Sequence, residues 1–179
     1  MSIAHLEGLT EVGIDPTVWK FTVNQIGNGD QMKAYVRDAL DDNLAGKSLP
    51  FVTRLIGSNK IVGSTRFGNI DTANRKVEIG WTWVAPEWQR TAVNTEAKLL
   101  MLAHAFEVWQ CVRVEFKTDA ANIRSRNAIL RIGAVEEGIL RRHMITEAGR
   151  LRDTVYFSIL DDEWPAVKDR LTGKLSRYK

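Results

Sequence analysis

The sequence has little cysteine, and it lacks any long apolar run. Its single cysteine, Cys111, excludes an intramolecular disulfide. The longest apolar stretch, around residues 99–106, is far shorter than the roughly 20 residues that a membrane-spanning helix needs. Residues 1–5 show neither the basic nor the apolar part of a signal peptide. These absences predict a cytoplasmic, soluble protein with no membrane partner.

The chain also lacks a strong charge of either sign. Its formal net charge is +3 and its pI is about 9.1, which suits an anionic ligand but does not indicate nucleic-acid binding. The histidines have no metal-ligand spacing, so we expect no metal site. With 179 residues, 44% of them hydrophobic, and no repeat or linker, the sequence predicts a single domain covering residues 1–179.

One stretch, residues 77–110, organises the rest of the chain. Its first part alternates in the period of a strand, which predicts that one face carries Val77, Ile79, Trp81 and Trp83. The opposite face would carry Glu78, Gly80 and Thr82. From Ala92 onward the apolar residues recur at helical spacing, so a largely buried helix should follow.

The turn at residues 89–95 joins this strand to this helix. Backbone N–H groups at a helix N-terminus are unpaired, and the helix dipole places partial positive charge there. The turn could therefore hold a phosphate or pyrophosphate. The same pattern is also typical of an ordinary strand–loop–helix connection, and these residues alone leave both interpretations open.

The other patterns predict the order of the remaining elements. N-terminal helices precede three antiparallel strands, and a further strand after the central helix should run parallel to residues 77–84. A helix, two final strands and a last helix follow. The class is α+β, with a mixed, mostly antiparallel sheet, a central parallel pair and flanking helices.

The first strand of this order is apparently absent, because no alternating segment precedes the first helix. The strand near residues 51–56 would then form a sheet edge with free backbone N–H and C=O groups. We expect either that a second copy of the chain, as in a homodimer, or a local segment covers that edge, or that the chain is a shortened version of a longer product.

Three motifs in order resemble the GNAT acetyltransferase superfamily and, within it, the ribosomal-protein N-acetyltransferase branch. The loop Gln89-Arg90-Thr91-Ala92-Val93-Asn94 and the following Thr95-Glu96-Ala97 are similar to the family's Q/R-x-x-G-x-G/A loop and T-E-A. Residues 122–138 are similar to its N-x-x-S, x-G-F and E-G run, and residues 153–158 to its final core strand. Ala92 and Asn94 depart from the pattern, which has small glycine-like residues there.

The resemblance implies the GNAT fold and an acetyl-CoA-dependent N-acetyltransferase that moves an acetyl group directly to a primary amine. The acceptor stays open among a protein N-terminus, another peptide or small-molecule amine, an antibiotic and an aminoacyl nucleotide. A non-catalytic acyl-CoA-binding domain of the same fold is the alternative. The residues implied in cofactor binding are Trp83, Val84, Gln89, Arg90, Thr91, Ala92, Val93, Asn94, Thr95, Asn122, Arg124 and Ser125.

Acyl transfer to an amine needs a base for the ammonium and a proton donor for the leaving thiolate. Glu78 is the candidate base, and a solvated strand glutamate is its alternative. Tyr156 is the candidate acid, since a phenol of pKa about 10 can protonate a thiolate of pKa about 8.5. A tyrosine that only packs in the core is the alternative there. Asn122 could contact the pantetheine arm, cap its helix, or do both.

Overall fold

The computed structural model describes residues 1–178, and a six-stranded sheet in the order β1-β2-β3-β4-β6-β5 organises them. The strands are β1 (Ser48–Arg54), β2 (Ile61–Asp71), β3 (Lys76–Val84), β4 (Arg113–Asp119), β5 (Val135–Ile145) and β6 (Leu151–Leu160). Strands β3 and β4 run parallel, and every other neighbouring pair is antiparallel. The predicted α+β class with a central parallel pair is confirmed.

The helices flank this sheet, and their ends follow local sequence signals. They are α1 (Leu6–Gly13), α2 (Pro16–Trp19), α3 (Gly29–Leu44), α4 (Val93–Ala103), α5 (Ile123–Ile132) and α6 (Trp164–Leu175). The side chain of Asn28 caps α3 by accepting from the N–H of Gln31. Gly133 ends α5 in the left-handed conformation, with φ of 107°, as expected for a glycine there. None of these helices within residues 1–178 is long and apolar enough to cross a membrane.

Two apolar cores lie on opposite faces of the sheet. The back face packs against α4, α5 and α6, and its core includes Val77 and Ile79. The front face packs against α1 to α3, and its core includes Trp19 and Trp83. The central helix is less buried than its composition predicts, because Leu100 is 65% exposed.

A β-bulge in β3 overturns part of the predicted alternation. Ser64 pairs with Trp83 but Arg66 pairs with Gly80, so β3 contains one residue more than β2 over this stretch. An extra residue exchanges the two faces of a strand beyond it. Trp81, at φ of 48°, and Trp83 therefore do not share the face of Val77, and this prediction was wrong.

The same bulge separates two residues that were predicted to share a face. Glu78 lies on the front face, whereas the Thr82 hydroxyl accepts a hydrogen bond from Lys98 of α4 behind the sheet. The placement of Thr82 beside Glu78 was therefore wrong.

The edge at β1 has no strand before it, since residues 1–47 contain none. A local segment covers part of this edge: the amino group of Met1 donates to the carbonyl of Pro50 at 2.8 Å, and Met1 packs against the front core. Residues 1–47 thus lack the first strand, as predicted, and a local segment covers part of the edge, which was one of the predicted alternatives. The homodimer stays a prediction.

Candidate active site

A cleft opens where β3 and β4 part. Their pairing covers only the positions from Lys76–Arg113 to Glu78–Glu115, while β4 stays paired with β6 along its whole length. The bulge lies just beyond the last pair, where the extra residue changes the course of β3. The resulting cleft has a volume of about 810 Å³. Within residues 1–178, the β3 backbone beyond Glu78 has no neighbouring strand on this side, and only the Val84 carbonyl there accepts from a side chain, Gln89 Nε2 at 2.8 Å. Its other N–H and C=O groups on this side are available to a ligand.

The cleft has two ends of different character. One end is formed by the loop before α4 and the N-terminus of α5, and we call it the loop end. The other end lies between residues 18–24 and the β5–β6 hairpin, and we call it the acceptor end. Glu78 and Gly80 line the cleft between these ends.

In the loop before α4, the residue with the unusual backbone conformation is Arg90 and not Ala92. Ala92 has φ of −63° and ψ of −26°, a helical conformation that alanine adopts without cost. Arg90 instead takes the left-handed conformation, with φ of 64°. Because Ala92 needs no glycine, the departure from the family pattern leaves the backbone of the turn intact.

Arginine side chains surround this loop. Arg124 donates to the Gln89 amide oxygen at 2.7 Å, and Arg131 donates to the Thr95 hydroxyl at 3.1 Å. Arg90 is exposed beside them. Guanidinium groups and a helix N-terminus together suit a phosphate. Arg131 carries no local sequence signal for this role, because its contact with Thr95 joins residues from two helices.

The predicted cofactor residues do not all reach the cleft. The members that line it are Trp83, Val84, Gln89, Arg90, Thr91, Asn94, Asn122, Arg124 and Ser125. Thr95 is fully buried behind the loop, and the cleft lining does not include it or Ala92 and Val93. These three residues instead form the start of α4, whose N–H groups face the loop.

Two asparagines supply polar groups at the loop end. The Asn122 side chain caps α5 by accepting from Ser125 N–H at 3.0 Å and also lines the cleft, so both sequence interpretations hold. The amide oxygen of Asn94 is buried without a hydrogen-bond partner among residues 1–178. A buried acceptor without a partner is costly, so a ligand N–H would stabilise it.

Glu78 is buried and doubly bonded. It is 6% exposed, and its Oε2 accepts from Asn69 Nδ2 at 2.6 Å and from Lys117 Nζ at 2.8 Å. This environment excludes the solvated-glutamate alternative. Burial lowers the pKa of Lys117, but its interactions with Glu78 and, to a smaller extent, with Tyr156 together raise the pKa more, so the net shift is upward. Lys117 therefore stays a cation beside the carboxylate.

Tyr156 lies near this pair but outside the cleft lining. It pairs with Lys117 across β4 and β6, and the Lys117 ammonium is 4.8 Å from the centre of its ring. The half-buried ring also contacts His143. The structure thus brings Glu78, Lys117 and Tyr156 to one face of the sheet. The cleft lining includes the first two and does not include Tyr156.

Lys98 is a cleft residue that the sequence did not single out. It is 5% exposed, and its Nζ donates to the hydroxyls of Thr82 at 2.7 Å and Thr65 at 3.3 Å. Burial lowers the pKa of this amine to about 7. A lysine inside the apolar run of α4 was the available signal.

Comparisons with known proteins agree with this architecture. The family model described as an acetyltransferase (GNAT) domain matches residues 1–135. YdaF of Bacillus subtilis (strain 168), provisionally named a ribosomal N-acetyltransferase, is 34% identical over 114 residues. That match covers 64% of this chain and 61% of YdaF, so it spans about three fifths of that relative. It supports the ribosomal-protein branch of the resemblance.

Solved structures show the same fold. A GCN5-related N-acetyltransferase from Brucella melitensis is 30% identical with a TM-score of 0.87, over 95% of this chain and 77% of that one. RimJ of Mycobacterium smegmatis, solved with CoA-disulfide, is 23% identical with a TM-score of 0.81, over 97% and 86% of the two chains. From the family match and the splayed sheet together, the chain belongs to the GNAT acetyltransferase family.

Proposed function

We propose that the protein is an acetyl-CoA-dependent N-acetyltransferase that transfers the acetyl group directly to a primary amine. The observation that carries this proposal is the buried Glu78 carboxylate, which lies where β3 and β4 part and faces the cleft. Family membership supports the activity, and the RimJ structure that holds CoA-disulfide supports the choice of co-substrate. The name of YdaF, a ribosomal N-acetyltransferase, supports an amine of a ribosomal component as the acceptor, and among such amines we favour a protein N-terminus.

The residues of the cleft fit CoA. Arg90, Arg124 and the N-terminus of α4 would hold its phosphates at the loop end. The free backbone of β3 would pair with the amides of the pantetheine arm, much as a strand pairs with its neighbour. Asn94 and Asn122 would add side-chain contacts.

The chemistry then divides among a few groups of this chain. Glu78 takes the proton that the acceptor ammonium must lose, directly or through water, so that the amine nitrogen can attack the thioester carbon. Backbone N–H groups near Trp83 and Val84 donate to the oxyanion. As the C–S bond breaks, Tyr156 donates its phenolic proton to the thiolate, and the second proton that the attacking nitrogen loses reprotonates the phenolate.

Thiol release from acetyl-CoA with a panel of amines and peptides tests this function. CoA at 100 times its Kd should stabilise the folded protein by about 2.7 kcal/mol, which is visible as a rise in Tm. No rise in Tm with millimolar CoA would contradict cofactor binding. A rise in Tm without thiol release on any amine would favour the non-catalytic acyl-CoA-binding alternative.

Ala92→Gly should leave CoA affinity within about twofold of wild type, because the alanine backbone is already helical and its methyl group adds no strain. Arg90→Gly is the matched variant. It should relieve a left-handed conformation that costs about 1 kcal/mol, yet weaken CoA binding by removing a guanidinium. Calorimetric titration measures both affinities. Tighter binding by Ala92→Gly would show instead that the methyl group crowds the pyrophosphate.

Tyr156→Phe should lower kcat by about 10²-fold, the lower end of the range for general acids, because Tyr156 is half-buried outside the cleft lining. The substitution removes only a hydroxyl, so CoA affinity and Tm should stay near wild type. Steady-state thiol release and a melting curve check both parts. If Tyr156→Phe kept the wild-type kcat, Tyr156 would have only a packing role.

A further inference from the structure

Arg152 and Thr154 form a polar pair at the acceptor end of the cleft. They lie two residues apart on β6, so both side chains point to the front face of the sheet. Arg152 is 8% exposed and Thr154 is fully buried, and both line the cleft. Neither takes part in the proposed transfer chemistry.

The other charged side chains around this pair form ion pairs with one another, and Arg152 has no ion-pair partner among them. Glu78 pairs with Lys117, and Asp119 pairs with Arg150. Among residues 1–178, no carboxylate oxygen lies within 4.0 Å of the Arg152 guanidinium nitrogens. Burial lowers the pKa of Arg152, although the negative charges of Asp119 and Glu78 oppose this shift. A guanidinium keeps its proton even so, and a buried charge without a partner is destabilising.

Polar atoms of the pair are also unsatisfied. Arg152 Nε and Thr154 Oγ1 are buried without a hydrogen-bond partner among residues 1–178. Such atoms usually have partners in folded proteins, so a cluster of two on one strand face requires an explanation. A ligand that accepts hydrogen bonds would provide it.

A further carboxylate of the β5–β6 hairpin is already bound to the N-terminal loop. Glu147, in the turn of the β5–β6 hairpin, accepts from Asn24 Nδ2 at 2.9 Å and from Gln25 N–H at 2.7 Å. Its own N–H donates to the Val23 carbonyl at 3.1 Å. These bonds fix the N-terminal loop against the hairpin, so the acceptor end has a defined wall.

We propose that Arg152, assisted by Thr154, binds a carboxylate carried by the acceptor. The proposal rests on the proposed function and narrows it, because the acceptor class becomes an amine that bears a carboxylate. A planar guanidinium binds a carboxylate through two parallel hydrogen bonds, and the threonine hydroxyl can donate a further one. The nearby carboxylates of Glu78 and Asp119 disfavour a doubly charged phosphate at the same place.

The carboxylate can come from two sources, a free amino acid or an acidic side chain near a protein N-terminus. The experiment measures the Kd of acetylated product analogues by calorimetry in the presence of saturating CoA. N-acetylleucine against its primary amide tests the free amino acid. Acetyl-Ala-Asp-amide against acetyl-Ala-Asn-amide tests the peptide. We expect at least one acid to bind more than about 10-fold tighter than its neutral counterpart.

Arg152→Met should abolish this preference for the acid, and Thr154→Val should reduce it about fivefold. Arg141→Gln, an exposed arginine on β5 outside the cleft lining, is the control with the same change of charge and should keep the preference. Arg152→Met should also keep or raise Tm, because it removes a buried charge without a partner. If Arg152 were instead a structural ion-pair member, Tm would fall.

Two results would overturn the proposal: no preference for the acid in either pair, or a preference that survives in Arg152→Met. Should Arg152→Met fail to fold, Arg152→Lys decides through the same titrations, because an ammonium keeps the charge but loses the two-bond geometry. It should then retain only part of the preference. Binding of product analogues needs no turnover, so a protein that prefers the acid yet releases no thiol fails only the proposed function.

Discussion

Glu78→Gln should lower kcat by about 10²- to 10⁴-fold, the range that a general base contributes, with little change in CoA affinity. The amide keeps the shape of the side chain and can still accept from Asn69, but it cannot take a proton from an ammonium. Steady-state thiol release measures kcat, and calorimetry with CoA shows whether the loop end of the cleft is intact.

Glu115→Gln provides a control for the loss of an ion pair on the same face of the sheet. Glu115 is the register partner of Glu78 on β4 and pairs with Arg113 at 3.0 Å, but it does not line the cleft. Its substitution should lower Tm no more than Glu78→Gln does, because Arg113 keeps Glu137 as a partner, and kcat should stay near wild type. Equal losses of kcat in the two variants would assign Glu78 to folding rather than to proton transfer.

Lys98→Met should raise the free energy of unfolding at pH 7 by about 2–4 kcal/mol. Folding buries the wild-type amine fully and lowers its pKa from 10.5 to about 7. At pH 7 the folded state therefore binds this proton much more weakly than the unfolded state does, which destabilises the folded state. Removing the Lys98 amine does not leave the Thr65 and Thr82 hydroxyls without a partner. Their oxygens are 2.8 Å apart and form a hydrogen bond with each other. Denaturant unfolding measures the change.

The pH dependence of this difference has a definite sign. Between about pH 7 and 10.5 the unfolded chain holds the Lys98 proton and the folded chain does not, so wild-type stability rises with pH. The advantage of Lys98→Met should therefore be full below about pH 7 and shrink as pH rises. Lys33→Met, an exposed lysine of α3, should show no such trend. An advantage that is constant from pH 6 to 9 would contradict a neutralised, buried amine.

Local signals were enough to predict most of the fold. The caps at Asn28 and Asn122, the glycine end at Gly133 and the alternation of β4 depend on neighbours in the sequence. The bulge in β3 does not, because it exists only in the register with β2. For this reason the alternation failed at Trp81 and at every residue beyond it.

The site was predicted less completely than the fold. The loop before α4 and the candidate base could be found, since each lies within one contiguous motif. The partners of Glu78 could not, because Asn69 and Lys117 come from β2 and β4 and meet it only in the folded sheet. Arg152 has no local sequence signal for the same reason. That it has no ion-pair partner depends on how charged side chains of several strands pair in the folded sheet.

The central claim is that CoA occupies the gap between β3 and β4, and a crystal structure of the protein with CoA tests it most directly. The pantetheine arm should lie between these strands beyond Glu78, with the pyrophosphate within hydrogen-bond distance of the N–H groups in residues 89–95. A CoA molecule bound elsewhere, with this gap unfilled, would contradict the account.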